Sequence, residues 1–144
     1  MAITFGKGSL LLLLTLVAIL AISQAETIIV GGSEGWRYGY DYNDWAAKHG
    51  PFYINDTLVF KYPPPSDTVR PHNVYLLPNL YSFLNCDFRG ATLLAGPNQG
   101  EGYGFSYVLT EVRPNYFASG EGNGDDCKKG MMKFVAIPFY RLYP

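Results

Sequence analysis

The chain contains little of several residue types on which common chemistry depends. Of its 144 residues only two are cysteines and two are histidines, and charged residues make up 16%, against about 25% in a typical soluble protein. Two imidazoles leave few groups for acid–base catalysis, and the sequence has no nucleophile elbow, zinc-protease motif or phosphate-binding loop. We therefore expect a protein that is not an enzyme.

Neither sign of charge is in large excess. The 11 basic and 12 acidic residues give a formal net charge of −1. Proteins that bind nucleic acid or anionic membrane surfaces use a strong basic excess to attract them. This balance therefore argues against both kinds of partner.

The one long apolar run lies at the N-terminus. Lys7 precedes an apolar stretch from Leu10 to Ile22, which is followed by Ser23-Gln24-Ala25. A membrane-spanning helix needs about 20 apolar residues, whereas a shorter run followed by small residues is typical of a secretory signal peptide. The sequence thus predicts a signal peptide at residues 1–25 and one exported domain at 26–144, with no membrane span or lipid anchor.

Cys86 and Cys127 both lie in the exported part. Because the compartment outside the cell is oxidising, we expect the two thiols to form a disulfide. Closing a loop of this length stabilises a fold by about 4 kcal/mol in the chain-entropy model. The alternative is a pair of free buried thiols.

Asn55-Asp56-Thr57 is a sequon for N-glycosylation. In a secreted chain it predicts that Asn55 is exposed and carries a glycan. The alternative is an unused sequon, since the residues after it resemble a strand and Asp is a mediocre middle residue.

The exported part has the pattern of an all-β domain. Short stretches of β-branched and aromatic residues recur between clusters of Gly, Pro and Asn, as in sandwiches and barrels. We also predict one short helix over Tyr42 to His49, with Asp44 as its capping residue. The predicted strands are Thr27 to Val30, Thr57 to Tyr62, Asn73 to Leu77, Tyr103 to Leu109, Asn115 to Ala118 and Met132 to Ile137.

A series of short motifs runs along almost the whole exported part. They are Val30 to Ser33, Gly35-Trp36, Trp45-Ala46, Asp56 to Tyr62, His72 to Val74, Tyr81 with Cys86, Tyr116-Phe117, and Cys127 to Met131. In this order and spacing the chain resembles the phytocyanins, plant extracellular proteins with the cupredoxin fold, and in particular early nodulin-like, uclacyanin-like or plantacyanin-like members. The resemblance implies a cupredoxin-like Greek-key β-sandwich or barrel of two sheets, with one short helix and one disulfide, Cys86 to Cys127, beside the metal end.

The resemblance also locates four copper-ligand positions, at His72, Ser119, Asp126 and Met131. A type 1 copper centre uses two imidazoles and a thiolate with a weak axial ligand such as Met. Ser119 stands where the thiolate belongs and Asp126 where the second imidazole belongs, and neither can replace that donor. We expect a degenerate site without metal or other cofactor. The long loop between Ser119 and Cys127 is expected to misplace Asp126, and His72 to be satisfied by a neighbouring loop.

These expectations lead to a functional hypothesis. We expect a secreted, copper-free phytocyanin-like module in the apoplast or cell wall, which binds a carbohydrate or protein partner through loops Tyr62 to His72 and Ser119 to Lys129. The alternative is an extracellular copper-dependent protein for single-electron transfer, with a metal on His72, Met131 and Asp126. A third possibility is a structural wall component whose tyrosines become cross-linked.

Overall fold

The computed structural model describes residues 24–142. The predicted signal peptide, residues 1–25, lies almost entirely outside this range. The strands of the described part are β1 (Thr27–Ile29), β2 (Phe52–Tyr53), β3 (Thr57–Phe60), β4 (Val74–Leu77), β5 (Thr92–Ala95), β6 (Phe105–Val108), β7 (Asn115–Ala118), β8 (Lys133–Ala136) and β9 (Pro138–Phe139). The α-helices are α1 (Tyr42–His49), α2 (Leu80–Asn85) and α3 (Asp125–Lys128), and a 3₁₀ turn covers Gly32–Glu34.

The strands form two main sheets and one short pair. One sheet has the order β1-β3-β6, with β1 parallel to β3 and β6 antiparallel to it. The other is antiparallel with the order β5-β4-β7-β8. Strands β2 and β9 pair in parallel. This arrangement confirms the predicted all-β sandwich of two sheets.

Aromatic side chains fill the space between the sheets. Trp36, Phe60, Phe117 and Phe134 are almost fully buried, and the ring centroid of Phe60 lies 5.2 Å from Trp36 and 5.3 Å from Phe117. Each such pair adds about 0.5–1.5 kcal/mol beyond the area it buries. Helix α1 covers this core through Trp45, whose ring meets Phe134 edge-on at 5.4 Å. The core therefore supplies a rigid support for the loops.

Most predicted elements are present. Each of the six predicted strands contains an observed strand, and the helix at Tyr42–His49 has the predicted bounds. The predicted cap is wrong: Asp41 is the N-cap, and its carboxylate accepts a hydrogen bond from the Asp44 N–H at 3.0 Å. An N-cap lies just before the first helical residue, so Asp44 is already inside the helix. Strands β2, β5 and β9 and helices α2 and α3 were not predicted.

The disulfide between Cys86 and Cys127 is confirmed. It joins the residue that ends α2 to a residue within α3. Asn55 is exposed as expected, and its glycosylation stays a prediction. Within the described residues no helix is long and apolar enough to cross a membrane.

A buried carboxylate lies at the start of β3. Asp56 is 1% exposed and accepts hydrogen bonds from the backbone N–H groups of Glu26 and Tyr53, at 3.0 and 2.9 Å. Arg141 Nη2 donates to the same carboxylate at 3.0 Å, and its guanidinium stacks on Tyr53 at 4.2 Å. Asp56 thus connects an early and a late segment of the domain.

Candidate functional site

Three of the four predicted copper-ligand positions meet in a buried hydrogen-bonded group, which we call the Asp126 cluster: His72, Ser119 and Asp126. His72 precedes β4 and Ser119 follows β7. These strands are antiparallel neighbours with Tyr75 opposite Ala118, so that His72 and Ser119 lie at the same edge of the sheet. Helix α3 adds Asp126 from the loop that follows.

The Asp126 carboxylate is the centre of the cluster. Its Oδ2 lies 2.6 Å from His72 Nδ1 and accepts a hydrogen bond from Ser119 Oγ at 2.7 Å. Ser119 and Asp126 are fully buried and His72 is 4% exposed. Because an ionised carboxylate only accepts hydrogen bonds, we assign the ring proton of His72 to Nδ1. His72 is therefore satisfied by the neighbouring loop, as expected.

The expectation that the long loop misplaces Asp126 is wrong. Residues 125–128 of this loop form α3, which starts after Gly124 in a left-handed conformation with φ 87°. The Gly124 N–H donates to the Gly120 carbonyl at 3.0 Å, and the Lys128 N–H to the Gly124 carbonyl at 2.9 Å. This turn takes up the additional length and directs Asp126 back toward the sheet edge.

Asn73, the residue before β4, supports the cluster. Its N–H donates to Ser119 Oγ at 3.2 Å, and its Oδ1 accepts from the Gly120 N–H at 2.7 Å. Its Nδ2 donates to Glu121 Oε1 at 3.1 Å. Ser119 therefore accepts from Asn73 while donating to Asp126, so its hydroxyl is used in both directions.

Arg70 links the two loops that were predicted to bind a partner, Tyr62 to His72 and Ser119 to Lys129. Its Nη2 lies 3.1 Å from Asp126 Oδ1 and 3.4 Å from Asp125 Oδ2, and its guanidinium stacks on Tyr38 at 4.0 Å. Asp126 Oδ1 has no hydrogen-bond partner within the described part of the chain, because the Arg70 contact lacks hydrogen-bond alignment despite the short distance. The stabilisation by Arg70 at Oδ1 is therefore Coulombic.

The fourth position lies outside the cluster. Met131 is 41% exposed and has a left-handed backbone with φ 58°. The next residue, Met132, is fully buried, and its N–H donates to the Asp126 carbonyl at 3.0 Å. The buried methionine at this end of the core is thus Met132, whereas the Met131 residue faces solvent in part.

This donor set does not fit a type 1 copper centre. Both cysteines are consumed by the disulfide, which leaves no thiolate. The Nδ1 atom of His72 is already bound to Asp126, and the other groups are a hydroxyl and a hard carboxylate, which suit copper poorly. Within residues 24–142, no group of three or more His, Cys, Asp or Glu residues is arranged to hold a metal ion.

An open cleft of about 390 Å³ lies beside the cluster. Its walls come from residues 86–89 after α2, from residues 120–128 around α3, and from Tyr75 of β4. Tyr75 and Phe88 form an aromatic pair with centroids 5.1 Å apart. A Cβ at Gly120 would approach both rings at 3.0 Å, so that glycine permits the rings to lie against the loop. We call this space the Phe88 cleft.

Two cationic side chains, those of Arg89 and Lys128, line the cleft, and they differ in their pairing. Arg89 binds Asp87 through Nε at 2.9 Å and Nη2 at 2.6 Å, and these hydrogen bonds lower the pKa of Asp87 to about 2. The Lys128 ammonium has no ion-pair partner among the described residues. Lys128 lies in one of the two loops predicted to bind a partner, whereas Phe88 and Arg89 follow α2, a helix that the sequence pattern does not predict.

Fold and site together define a cupredoxin-like sandwich whose metal end is filled by protein side chains. The family model for the plastocyanin-like domain matches residues 36–131. Blue copper protein 1a of Medicago truncatula is 31% identical over 128 residues, covering 88% of this chain and 70% of the relative. The chain therefore belongs to the phytocyanin family.

Other relatives agree with this assignment. Early nodulin-like protein 1 of Arabidopsis thaliana is 30% identical over 94% of this chain, and Early nodulin-55-2 of Glycine max is 37% identical over 88%. The chain spans only 34% and 64% of the length of these two relatives. The structure of cucumber stellacyanin with Cu²⁺ matches 83% of this chain and 99% of its own, with a TM-score of 0.63 and 24% identity. That likeness supports the fold alone.

Proposed function

We propose that the protein is a secreted phytocyanin without a type 1 copper centre, which binds an extracellular carbohydrate or protein partner in the plant apoplast or cell wall. The observation that carries this proposal is the hydrogen bonding of His72 and Ser119 to Asp126 Oδ2 in the Asp126 cluster. A buried group of side chains bonded to one another at the predicted metal position keeps the loops ordered without copper. The fold is then retained as a platform for recognition.

The loop end offers a surface for such a partner. Arg70 connects the loop before β4 to the loop after β7, and the disulfide holds the segment after α2 against α3. The Phe88 cleft opens between these fixed segments. Clefts with aromatic walls and a few placed polar groups are the usual form of small-ligand sites.

Catalysis is not part of the proposal. Ser119 and His72 both bind the same carboxylate oxygen, whereas nucleophilic catalysis by serine requires the hydroxyl to be paired with the imidazole that takes its proton. All three side chains are also buried. The cluster is therefore a structural element in this proposal.

The alternative function is copper-dependent electron transfer. Its support is the similarity to relatives named blue copper proteins. It requires copper to bind through His72, Met131 and Asp126, of which His72 Nδ1 and Asp126 Oδ2 are bonded to each other. The exposure of Met131 and the lack of a thiolate disfavour it.

One experiment on the purified mature protein distinguishes the two proposed functions. Cu²⁺ is added, the sample is dialysed, and visible absorption and metal content are measured. We expect a folded, colourless protein that loses its copper, and binding to an array of cell-wall glycans or extracellular proteins that loop variants abolish. Stoichiometric retained copper with an intense blue band would overturn the proposal in favour of electron transfer.

A further inference from the structure

We propose that the Phe88 cleft binds an acidic saccharide, with a sugar ring against its aromatic wall and a carboxylate paired with Lys128. This inference rests on the proposed function and specifies its ligand. It derives from three properties of the cleft: its ring surfaces, its main-chain hydrogen bonding and its charge.

The aromatic wall is suited to the apolar face of a sugar. Tyr75 and Phe88 are both partly exposed, and their rings lie at 64° to each other. Gly120 and Gly124 pack close to these rings: a Cβ at Gly120 would lie 3.0 Å from both, and a Cβ at Gly124 would lie 3.9 Å from Phe88. The ring surface that the loop leaves exposed in the cleft is therefore the part that a sugar ring would contact.

The main chain around the cleft is already hydrogen-bonded. The N–H groups of Gly120 and Gly124 donate to the Asn73 side chain and the Gly120 carbonyl, and Lys128 N–H donates to the Gly124 carbonyl. A peptide bound as an added strand needs free main-chain donors and acceptors. The groups that remain are ring faces, the Asn123 amide and an ammonium, which favour a saccharide over an extended peptide.

The net charge of the cleft favours an acidic saccharide over a neutral one. Asp87 and Arg89 neutralise each other through a two-point contact, so that neither leaves a net charge in the cleft. Lys128 passes along Gly124, where a Cβ would meet its Cε at 3.7 Å and its Nζ at 3.9 Å. Its unpaired ammonium is thus the net charge of the cleft, and it selects a carboxylate.

The experiment is calorimetric titration of the full mature protein with an oligogalacturonide of defined length and with its methyl ester. The two saccharides have the same rings and differ in the carboxylate. We expect the acid to bind and the ester to bind at least roughly tenfold more weakly, a loss of about 1.4 kcal/mol, because the ester cannot form the charged hydrogen bond to Lys128. The variant Lys128→Gln should lose roughly the same factor for the acid alone.

The matched control is Lys129→Gln, which makes the same change in charge at the next residue, outside the cleft wall. It should alter binding by less than about twofold. Equal binding of acid and ester, equal effects of the two lysine variants, or binding of neither saccharide would each overturn the acidic-saccharide site. Retained blue copper in the same preparation would instead overturn the proposed function, so the two failures are distinguishable.

Discussion

The Nδ1 atom of His72 lies 2.6 Å from Oδ2 of Asp126, at the place where the family pattern predicts two metal ligands. Both residues are buried, and Ser119 donates to the same oxygen. The Asp126 carboxylate supplies the acceptor for His72 Nδ1 and the shorter of the two acceptor contacts of Ser119, which also lies 3.3 Å from Asn73 Oδ1. The Asp126 cluster thereby stabilises the packing of the loops at this end of the domain.

Replacing Asp126 by Ala should lower the free energy of unfolding by about 3 kcal/mol, because it leaves the buried His72 ring N–H without an acceptor and the Ser119 hydroxyl with only its longer contact to Asn73 Oδ1. The measurement is urea denaturation followed by tryptophan fluorescence. Asp125→Ala, on the same helix, is the control, since Asp125 is partly exposed and its contacts to Arg70 and Tyr38 are 3.3–3.4 Å long. It should cost less than about 1 kcal/mol. Equal losses for the two variants would refute a special role for the cluster.

The double substitution Ser119→Cys with Asp126→His should create copper binding. It supplies a thiolate and a second imidazole beside His72, which are the donors that a blue centre needs. We expect about one copper per chain after dialysis, together with an intense visible band. The single substitution Ser119→Cys is the comparison and should retain little copper. A folded double variant with an intact Cys86–Cys127 bridge but no copper would show that these positions are not equivalent to the family's ligands.

Asp87 should remain ionised in acidic surroundings. Hydrogen bonds from Arg89 lower its pKa from 3.8 to about 2, so their contribution to folding is fully present above pH 3.8 and is lost as the pH falls through 2. An NMR titration of the side-chain carboxyl carbon measures this directly. In Arg89→Gln the pKa should return toward 3.8; an unchanged low value there would exclude Arg89 as the cause.

Expression through a plant or yeast secretory pathway should give a chain with a glycan on Asn55. The side chain is exposed, and its left-handed backbone, with φ 73°, is one that Asn tolerates. Mass spectrometry before and after glycosidase treatment measures the occupancy. Asn55→Gly is the control because it removes the acceptor and suits the same φ. A wild-type mass that glycosidase does not change would contradict the prediction.

Much of the sandwich follows from local sequence. The residues of β8 alternate between buried and partly buried, which defines one buried face. The residues of β3 and β7 are mostly buried on both faces, and these strands were predictable from their β-branched and aromatic residues. By contrast, β2 and β9 have two residues each, and such short strands exist only because a distant partner is present. Strand β5, Thr92–Ala95, has mostly exposed or partly exposed residues, so its apolar side chains gave no clear period.

The site was predictable in composition but only partly in geometry. The four ligand positions were predicted from the family motifs, and the serine at the predicted thiolate position, Ser119, is visible in the sequence alone. The placement of Asp126 was not, because it depends on α3, a four-residue helix that starts from a left-handed glycine. The cleft was missed for a similar reason: it needs Phe88 and Gly120 to meet, and they are distant in sequence.

Asp56 binds Glu26 and Arg141 at once, and it lies at the start of β3. The other end of that strand leads to Lys61, whose carbonyl accepts from the Trp36 N–H, while the Trp36 ring N–H donates to Asn73 beside the Asp126 cluster. Glu26 and Arg141 thus meet at the end of β3 remote from the contacts that lead to the Asp126 cluster. A single buried carboxylate therefore fixes both the first and the last described segments of the domain.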